Sequence, residues 1–485
     1  MRHSTLLATF ALAPCVALYT LVSACSSSSS SNGATPGDGG TTPVADAGAD
    51  SNANAVDAAP TPVPEPPWSG TTVEAGCTVN GCIHAFAKVG SYSKQLLTSY
   101  AAPGNAVLNG VVQYGITYVS SGAEITGSVF VPNTAAPAGG FGVVVMNQFT
   151  SGLGAPCAPS VGELALGVAS AAALNGFVTL VPDATSYGKP PYGAYIEGEV
   201  AGRAALDGAR ATFHTTQALG IAIARKAVIA GLSQGAYSTM AAATAYPYYA
   251  NELEIRGFIA AEPPSNLRAT LNSAINANTA SNHVYDAMRL YSWQGFRGLS
   301  GGELFQPPYD TLIPTWFATE CIFNGDDGSD GTLYDSFYEP GPDAGGAGAD
   351  DGGAGDAGAT DAGVAASDDA GPPVPIPATS IFTSNFIGYA ANDSWPADWA
   401  AEYVVSETTP SYLKLPVTIF EGSADTTVYP ADVDAYVAQL QAAGVNVTYN
   451  KIPGGMHSTT ALSSFTVQQA AGAQGVAAIT ALLAN

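Results

Sequence analysis

Short, nearly continuous apolar runs alternate with helix-like stretches along most of this 485-residue chain. That rhythm restricts the fold more than any other feature. FGVVVMN (141–147) is followed by ELALGVASAAALNG (163–176), and FVTLVPD (177–183) by AYIEGEVAGRAALDGARATFHTTQAL (194–219). KAVIAG (226–231) leads into AYSTMAAATAY (236–246), where Pro247 is expected to stop the helix. IRGFIAAEPP comes next; much later follow LPVTIFEGSAD (415–425), a helix near 431–443, NVTYNKIPGG and a C-terminal helix. A strand covered on both faces has no polar side, so it reads as a continuous apolar run rather than an alternation. Such strands separated by helices predict an α/β fold, a mostly parallel central sheet with helices on both faces. Ahead of them, from about Gly110, VVQYGITYVSSGAEITGSVFVPNT alternates and turns at Ser-Gly, as an antiparallel pair does.

The interval 264–400 breaks the rhythm. It is rich in aromatics (Tyr285, Tyr291, Trp293, Phe296, Phe305, Tyr309, Trp316, Phe317) and reads as an inserted cap. Those rings would either line a pocket over the site or pack the cap's own core. Within the cap, 341–376 is low-complexity Gly, Ala and Asp, read as a solvated linker. Calcium-binding repeats are disfavoured there, because Gly352 stands where such a repeat needs an apolar side chain. DDGSDG (326–331) also falls short of a calcium loop, with Phe337 where the twelfth-position Glu belongs.

Residues 1–24 run from a short basic start through an apolar stretch to Val22-Ser23-Ala24, directly before Cys25, and read as an export signal. The V-S-A-C ending resembles a bacterial lipobox, which would make Cys25 the lipidated first residue of the mature protein. A chain anchored in this way would sit in the cell envelope of a bacterium. Residues 25–68, after a serine tract, cannot bury a core and read as a tether. The remaining organisation is a core in two parts, 69–263 and 401–485, flanking the cap. No other segment is long and apolar enough to span a bilayer. With Cys15 in the signal, four cysteines remain: Cys77, Cys82, Cys157 and Cys321. In an oxidising compartment they admit three pairings, and the short spacing favours Cys77–Cys82 with Cys157–Cys321. No histidine cluster accompanies them, so neither a zinc site nor any other metal is expected. The formal net charge is −25, and twelve of the 39 acids lie in 26–67 and 341–376, which carry no base. The acidic remainder would repel a phosphate backbone, so nucleic acid is not an expected partner.

G-x-S-x-G occurs twice, around Ser233 in KAVIAGLSQGAY and around Ser300 in FRGLSGGELF. As a nucleophile elbow this motif needs a strand before it, a tight turn, and a helix at once after it. Ser233 meets each condition. Ser300 precedes Pro307 and Pro308 and meets none. A serine at neutral pH needs a base, and the base needs an orienting carboxylate. Of the five histidines, His3 lies in the signal, His84 before the core, His214 in mid-helix and His283 in the cap. That leaves His457, in the loop KIPGGMHSTT. Asp425 ends the strand VTIFEGSAD, and Glu262 and Glu421 also lie near strand ends. The chain order Ser233, Asp425, His457 is that of a serine hydrolase triad.

With these residues in place the chain resembles the microbial secretory lipases, α/β-hydrolases with a helical cap between nucleophile and acid. The resemblance covers about 110–485 and rests also on TSGLGAPCAPS (150–160), GFVTLVPDATSYGKPPYGAY (176–195) and ALDGARA (205–211). The family usually carries H-G-T-T-G where this chain has Gln148-Phe149-Thr150-Ser151-Gly152, and His or Tyr where it has Leu232. It often carries Asp-Tyr-Glu-Gly where this chain has Asp183-Ala184-Thr185-Ser186. The α/β-hydrolase fold and cleavage of a lipid or other acyl ester, without a cofactor, are what the resemblance implies. The backbone N–H of Gln234 would be one oxyanion donor. By the resemblance, Asp183 or its neighbours would supply the other. A serine peptidase on the same fold and a non-catalytic surface-binding lipoprotein remain open readings.

Overall fold

The computed structural model describes residues 73, 76–95, 109–161, 165, 175–183, 187, 195–277, 283–323, 331–339, 374–410, 412–457 and 472–484. The export signal, Cys25, the tether, nearly all of 163–176 and most of 341–376 lie outside them. The strands are β1 (Ile83–Tyr92), β2 (Val111–Ser120), β3 (Ala123–Pro132), β4 (Phe141–Asn147), β5 (Val178–Pro182), β6 (Ile223–Leu232), β7 (Glu254–Ala261), β8 (Tyr338–Glu339), β9 (Val374–Pro375), β10 (Val417–Gly422) and β11 (Val447–Ile452). The longer described helices are α1 (Gly198–Ala218), α2 (Gln234–Tyr249), α3 (Leu267–Ala277), α4 (His283–Arg297) and α5 (Tyr309–Thr319). They continue with α6 (Ala378–Ile381), α7 (Ser384–Asn392), α8 (Ala397–Ser406), α9 (Pro430–Ala442) and α10 (Gly472–Ala484).

Nine strands form one sheet in the order β1-β2-β3-β5-β4-β6-β7-β10-β11. From β5 to β11 all pairings are parallel, and β1 through β3 add an antiparallel margin. The apolar runs explain the centre: Val143, Val144, Val145 and Met146 are wholly buried, as are Val228, Ile229 and Ala230. Each such side chain contributes about 1.5–3 kcal/mol by leaving water. Ser121 and Gly122 join β2 to β3 with φ of 51° and 79°, the positive pair a two-residue hairpin turn requires. β1 extends the sheet upstream of Gly110. Its alternation is interrupted by Gly90 and by register shifts, so the sequence pattern did not reveal it. Pro247 does not end its helix, because α2 runs on to Tyr249. The missing N–H costs one bond near the last turn, and Ala250 N–H still donates to Tyr246 O.

Between β7 and β10 the chain forms α3 to α8. The apolar faces of these helices gather in a cluster of their own, with Trp293, Phe305, Phe317, Phe337, Phe382, Phe386, Trp399 and Tyr403 at its centre. The cluster takes in Leu153, Tyr195, Ile196 and Tyr237 from the sheet side. Both expected disulfides are formed, Cys77–Cys82 and Cys157–Cys321. The second joins the loop after β4 to the end of α5, and Ile322 N–H donates to Ser151 O beside it. ALDGARA proves to be a clasp: buried Asp207 accepts from Ser120 Oγ at 2.7 Å and Tyr249 Oη at 2.8 Å and pairs with Arg210. Arg210 in turn holds Glu252, so the motif pins α1 to β2 and to the segment after α2. Among the described residues no helix is long and apolar enough to cross a membrane.

Candidate active site

The chain leaves β4 for β5 on one side and returns to β6 on the other, so β4 and β6 are neighbours whose connections diverge. Such a switch point opens a crevice at the carboxyl ends of the strands. Ser233 stands there, directly after β6, at φ 51° and ψ −116°. This conformation is costly for a non-glycine residue, on the order of 1–3 kcal/mol, and survives only where the surroundings enforce it. Ser233 N–H donates to Ala261 O at 2.9 Å, and Tyr237 N–H donates back to Ser233 O at 2.9 Å. The two motif glycines permit the turn. A Cβ on Gly231 would lie 2.1 Å from Gly235 O, and one on Gly235 2.1 Å from Asn147 O.

His457 reaches the serine from the loop after β11. That loop is tied to the one after β10: Gly454 N–H donates to Ser423 Oγ at 2.8 Å and Ala424 N–H to Gly455 O at 2.8 Å. His457 Nε2 lies 2.9 Å from Ser233 Oγ, and Nδ1 lies 2.7 Å from Asp425 Oδ2. The other carboxylate oxygen of Asp425 accepts the N–H groups of Thr427 (2.7 Å) and Val428 (2.9 Å), which fixes its plane. The carboxylate is buried, while the imidazole keeps partial contact with solvent. The three residues that the sequence nominated are therefore in one hydrogen-bonded line.

Glu262, directly after β7, is also there. Its Oε2 lies 3.2 Å from His457 Nδ1, and the side chain is fully buried. Glu262, Asp425 and His457 each place a ligand-type atom within 4.8 Å of the others. Nδ1 therefore faces two buried carboxylates, hydrogen-bonded to Asp425 and within ion-pair range of Glu262. Glu421, the other strand-end acid, is buried inside β10 with neither oxygen hydrogen-bonded. Burial first, and then the neighbouring Asp425 charge, push its carboxyl up to about 9. At neutral pH it is a neutral acid behind the site rather than a second orienting charge.

Asp183 is placed differently from the expectation. It directly follows β5, two strands from β6, and its N–H donates to Thr126 O at 2.9 Å. Its carboxylate accepts from Ser160 N–H at 3.0 Å and from the hydroxyls of Ser160 and Thr126. A group so committed fastens the loop after β4 and has no N–H to offer an oxyanion. The stretch that does border the elbow is 148–150, since β4 pairs with β6 through Asn147 and Gly231. Gln234 is buried at the first position of α2, where the helix provides no acceptor for its N–H. Ser300 lies on an exposed turn. Its N–H donates to Asp398 Oδ2 and its carbonyl accepts from Trp399 Nε1, both at 2.6 Å. His214 and His283 are held elsewhere, in α1 and at the start of α4.

A pocket opens beside Ser233. Its lining mixes apolar Ile196, Leu267, Ala274 and Val428 with Ser265, Thr270, Asp286, Arg289 and Asp432. Of the eight aromatics singled out in the cap, only Tyr285 lines it. Trp293, Phe305 and Phe317 are spent on the cap's own core. Burial pushes the Asp286 carboxyl up to about 6, against the pull of Arg289 at 3.0 Å. Sequence reading missed this pair, because an Asp and an Arg three apart on a helix look like any surface ion pair.

The family model described as secretory lipase matches residues 163–284. No curated protein matches the chain. Among solved structures, a Legionella pneumophila protein provisionally described as a hydrolase superposes with a TM-score of 0.63 at 17% identity, over 82% of this chain and 98% of that one. The ligand-bound rice cell wall degrading esterase LipA of Xanthomonas oryzae gives 0.57 at 15%, over 84% and 98%. Candida antarctica lipase A in its closed state gives 0.53 at 14%, over 83% of each chain. These likenesses support a hydrolase of the lipase or esterase type. The chain has the α/β-hydrolase fold of lipases and esterases, and over 163–284 it carries the pattern of the secretory lipase family.

Proposed function

We propose that this protein hydrolyses carboxylic esters through an acyl-enzyme on Ser233. The observation that carries this reading is the unbroken line from Ser233 Oγ through the His457 ring to Asp425. In it, His457 Nε2 takes the proton as Oγ attacks the carbonyl, and later returns it to the leaving alcohol. Asp425 keeps the proton on Nδ1 and favours the imidazolium. The N–H of Gln234 and a donor from 148–150 would face the oxyanion. Removing one such donor typically costs about 10²–10³ in rate.

The pocket narrows the substrate. With a volume of about 70 Å³ it suits a short acyl or alcohol moiety better than a long alkyl chain. Two acids in the lining favour one second reading. Asp286 and Asp432 are carboxylates that would attract the amine of a peptide, which makes a serine peptidase the rival. For the N-terminus we read residues 1–24 as an export signal and Cys25 as the lipid anchor. Loss of lipid labelling in Cys25→Ser would bear that out.

Hydrolysis of p-nitrophenyl esters from acetyl to palmitoyl tests the proposal, with aminoacyl arylamides alongside. Ser233→Ala is expected to lower kcat by about 10⁶, and Ser300→Ala to leave it unchanged. Activity should fall as the acyl chain lengthens. An active Ser233→Ala variant would overturn the mechanism, and cleavage of arylamides alone would make the peptidase the better reading.

A further inference from the structure

We infer that Glu262 is a second orienting carboxylate for His457, so that the histidine is served by two acids rather than one. The inference rests on reading Ser233 as the nucleophile and His457 as its base. Two features carry it. The Glu262 carboxylate is fully buried with Oε2 3.2 Å from Nδ1, while Asp425 Oδ2 lies 2.7 Å from the same nitrogen. In addition, Glu262 holds a positive φ of 57° directly after β7, and its N–H is tied to Phe420 O of β10 at 2.8 Å. The backbone is thus bent and fastened in a way that brings the carboxylate to the ring.

The chemistry follows from proton bookkeeping. In the resting site a neutral imidazole gives its one Nδ1 N–H to Asp425, and the Glu262 carboxylate stands beside that bond without sharing it. When Ser233 Oγ bonds to the carbonyl carbon, its proton passes to Nε2 and the ring becomes a cation. At that moment both carboxylates face a positive charge in a buried setting. An interaction that is stronger in the transition state than in the ground state raises kcat rather than affinity. Glu262 touches neither substrate nor the reacting oxygen, so it is a positioning residue acting through His457. Asp425, Glu262 and Ser233 are the groups facing the ring from β10, β7 and the elbow, and neutral Glu421 lies behind Asp425.

The test is a double-mutant cycle on the full chain, read by kcat on a short acyl ester, with Ser233→Ala as the blank. In a site with one orienting acid, Asp→Asn costs about 10⁴ because the amide inverts the ring's tautomer. Here Asp425→Asn is expected to cost only about 10², because Glu262, 3.2 Å away, can take the Nδ1 N–H in its place. Glu262→Gln alone should lower kcat by about tenfold with little change in KM, and should move the acid limb of the kcat/KM profile to lower pH. Added to Asp425→Asn, it should cost a further 10² or more. Glu262→Asp, which keeps the charge, should recover part of kcat and return the acid limb toward wild type. A structural role alone would lower thermal stability and leave the acid limb in place. The inference is overturned if Asp425→Asn costs the full 10⁴, or if Glu262→Gln has the same small effect in both backgrounds. Failure of the underlying reading would look different, as activity surviving in Ser233→Ala.

Discussion

At the scale of single residues, the site concentrates cost. Ser233 and Glu262 both hold positive φ, and Glu421 is an acid kept neutral inside a strand. Glu421 gives the plainest consequence. Its folded-state carboxyl, near 9, lies above the ordinary value of 4.5, so the unfolded chain releases its proton first as pH rises. This group is therefore without cost below about pH 4.5, and it drains stability up to about pH 9, by at most about 1.4 kcal/mol per pH unit. Glu421→Gln should remove that slope. In urea titrations the variant is expected to gain on the wild type between pH 5 and pH 8, by up to about 4 kcal/mol. A difference that stays constant with pH would contradict it. Ser233, His457 and Asp425 were legible as candidates at this scale because each obeys a local rule: a motif between strand and helix, a loop histidine, a strand-end aspartate. The part of Asp183 was not, because whether an N–H is free depends on the strand it faces, here Thr126 of β3.

At the scale of elements, helix α2 meets both helix α1 and strand β6 through glycines. A Cβ on Gly202 of α1 would lie 2.5 Å from the Ala241 carbonyl carbon of α2, backbone that cannot rotate away. Gly202→Ala is therefore expected to destabilise the fold by about 1–3 kcal/mol while leaving kcat nearly intact in the folded fraction. Gly235→Ala should do the reverse and lose most activity, since its Cβ would push the elbow off the 148–150 loop. Thermal melts and activity of the two variants, run together, would separate packing from site geometry. The parallel strands were readable as elements from their apolar runs, and the β2–β3 hairpin from its Ser-Gly turn. β1 was not, and Pro247 misled, because the packing of α2 against α1 and the sheet outweighs one lost hydrogen bond.

At the scale of the molecule, the cap is bound to the sheet by a long closure. Cys157 and Cys321 are 164 residues apart in sequence, and a cross-link closing a loop of that size stabilises by about 5 kcal/mol in the chain-entropy account. Replacing both with serine should lower Tm by several degrees. It should also weaken the alignment of the 148–160 loop, raising KM more than Cys77→Ser with Cys82→Ser does. Equal effects of the two pairs on KM would count against that coupling. The chain's order of apolar runs determined a parallel sheet with an inserted cap, because burial on both faces leaves a mark in every strand. The same order determined which serine follows a strand and precedes a helix. Tertiary structure alone decided which carboxylates lie beside the histidine, which loop borders the elbow and which cap side chains reach the pocket. Those are distances between residues far apart in sequence, set by the order in which strands lie side by side, and no local pattern records them.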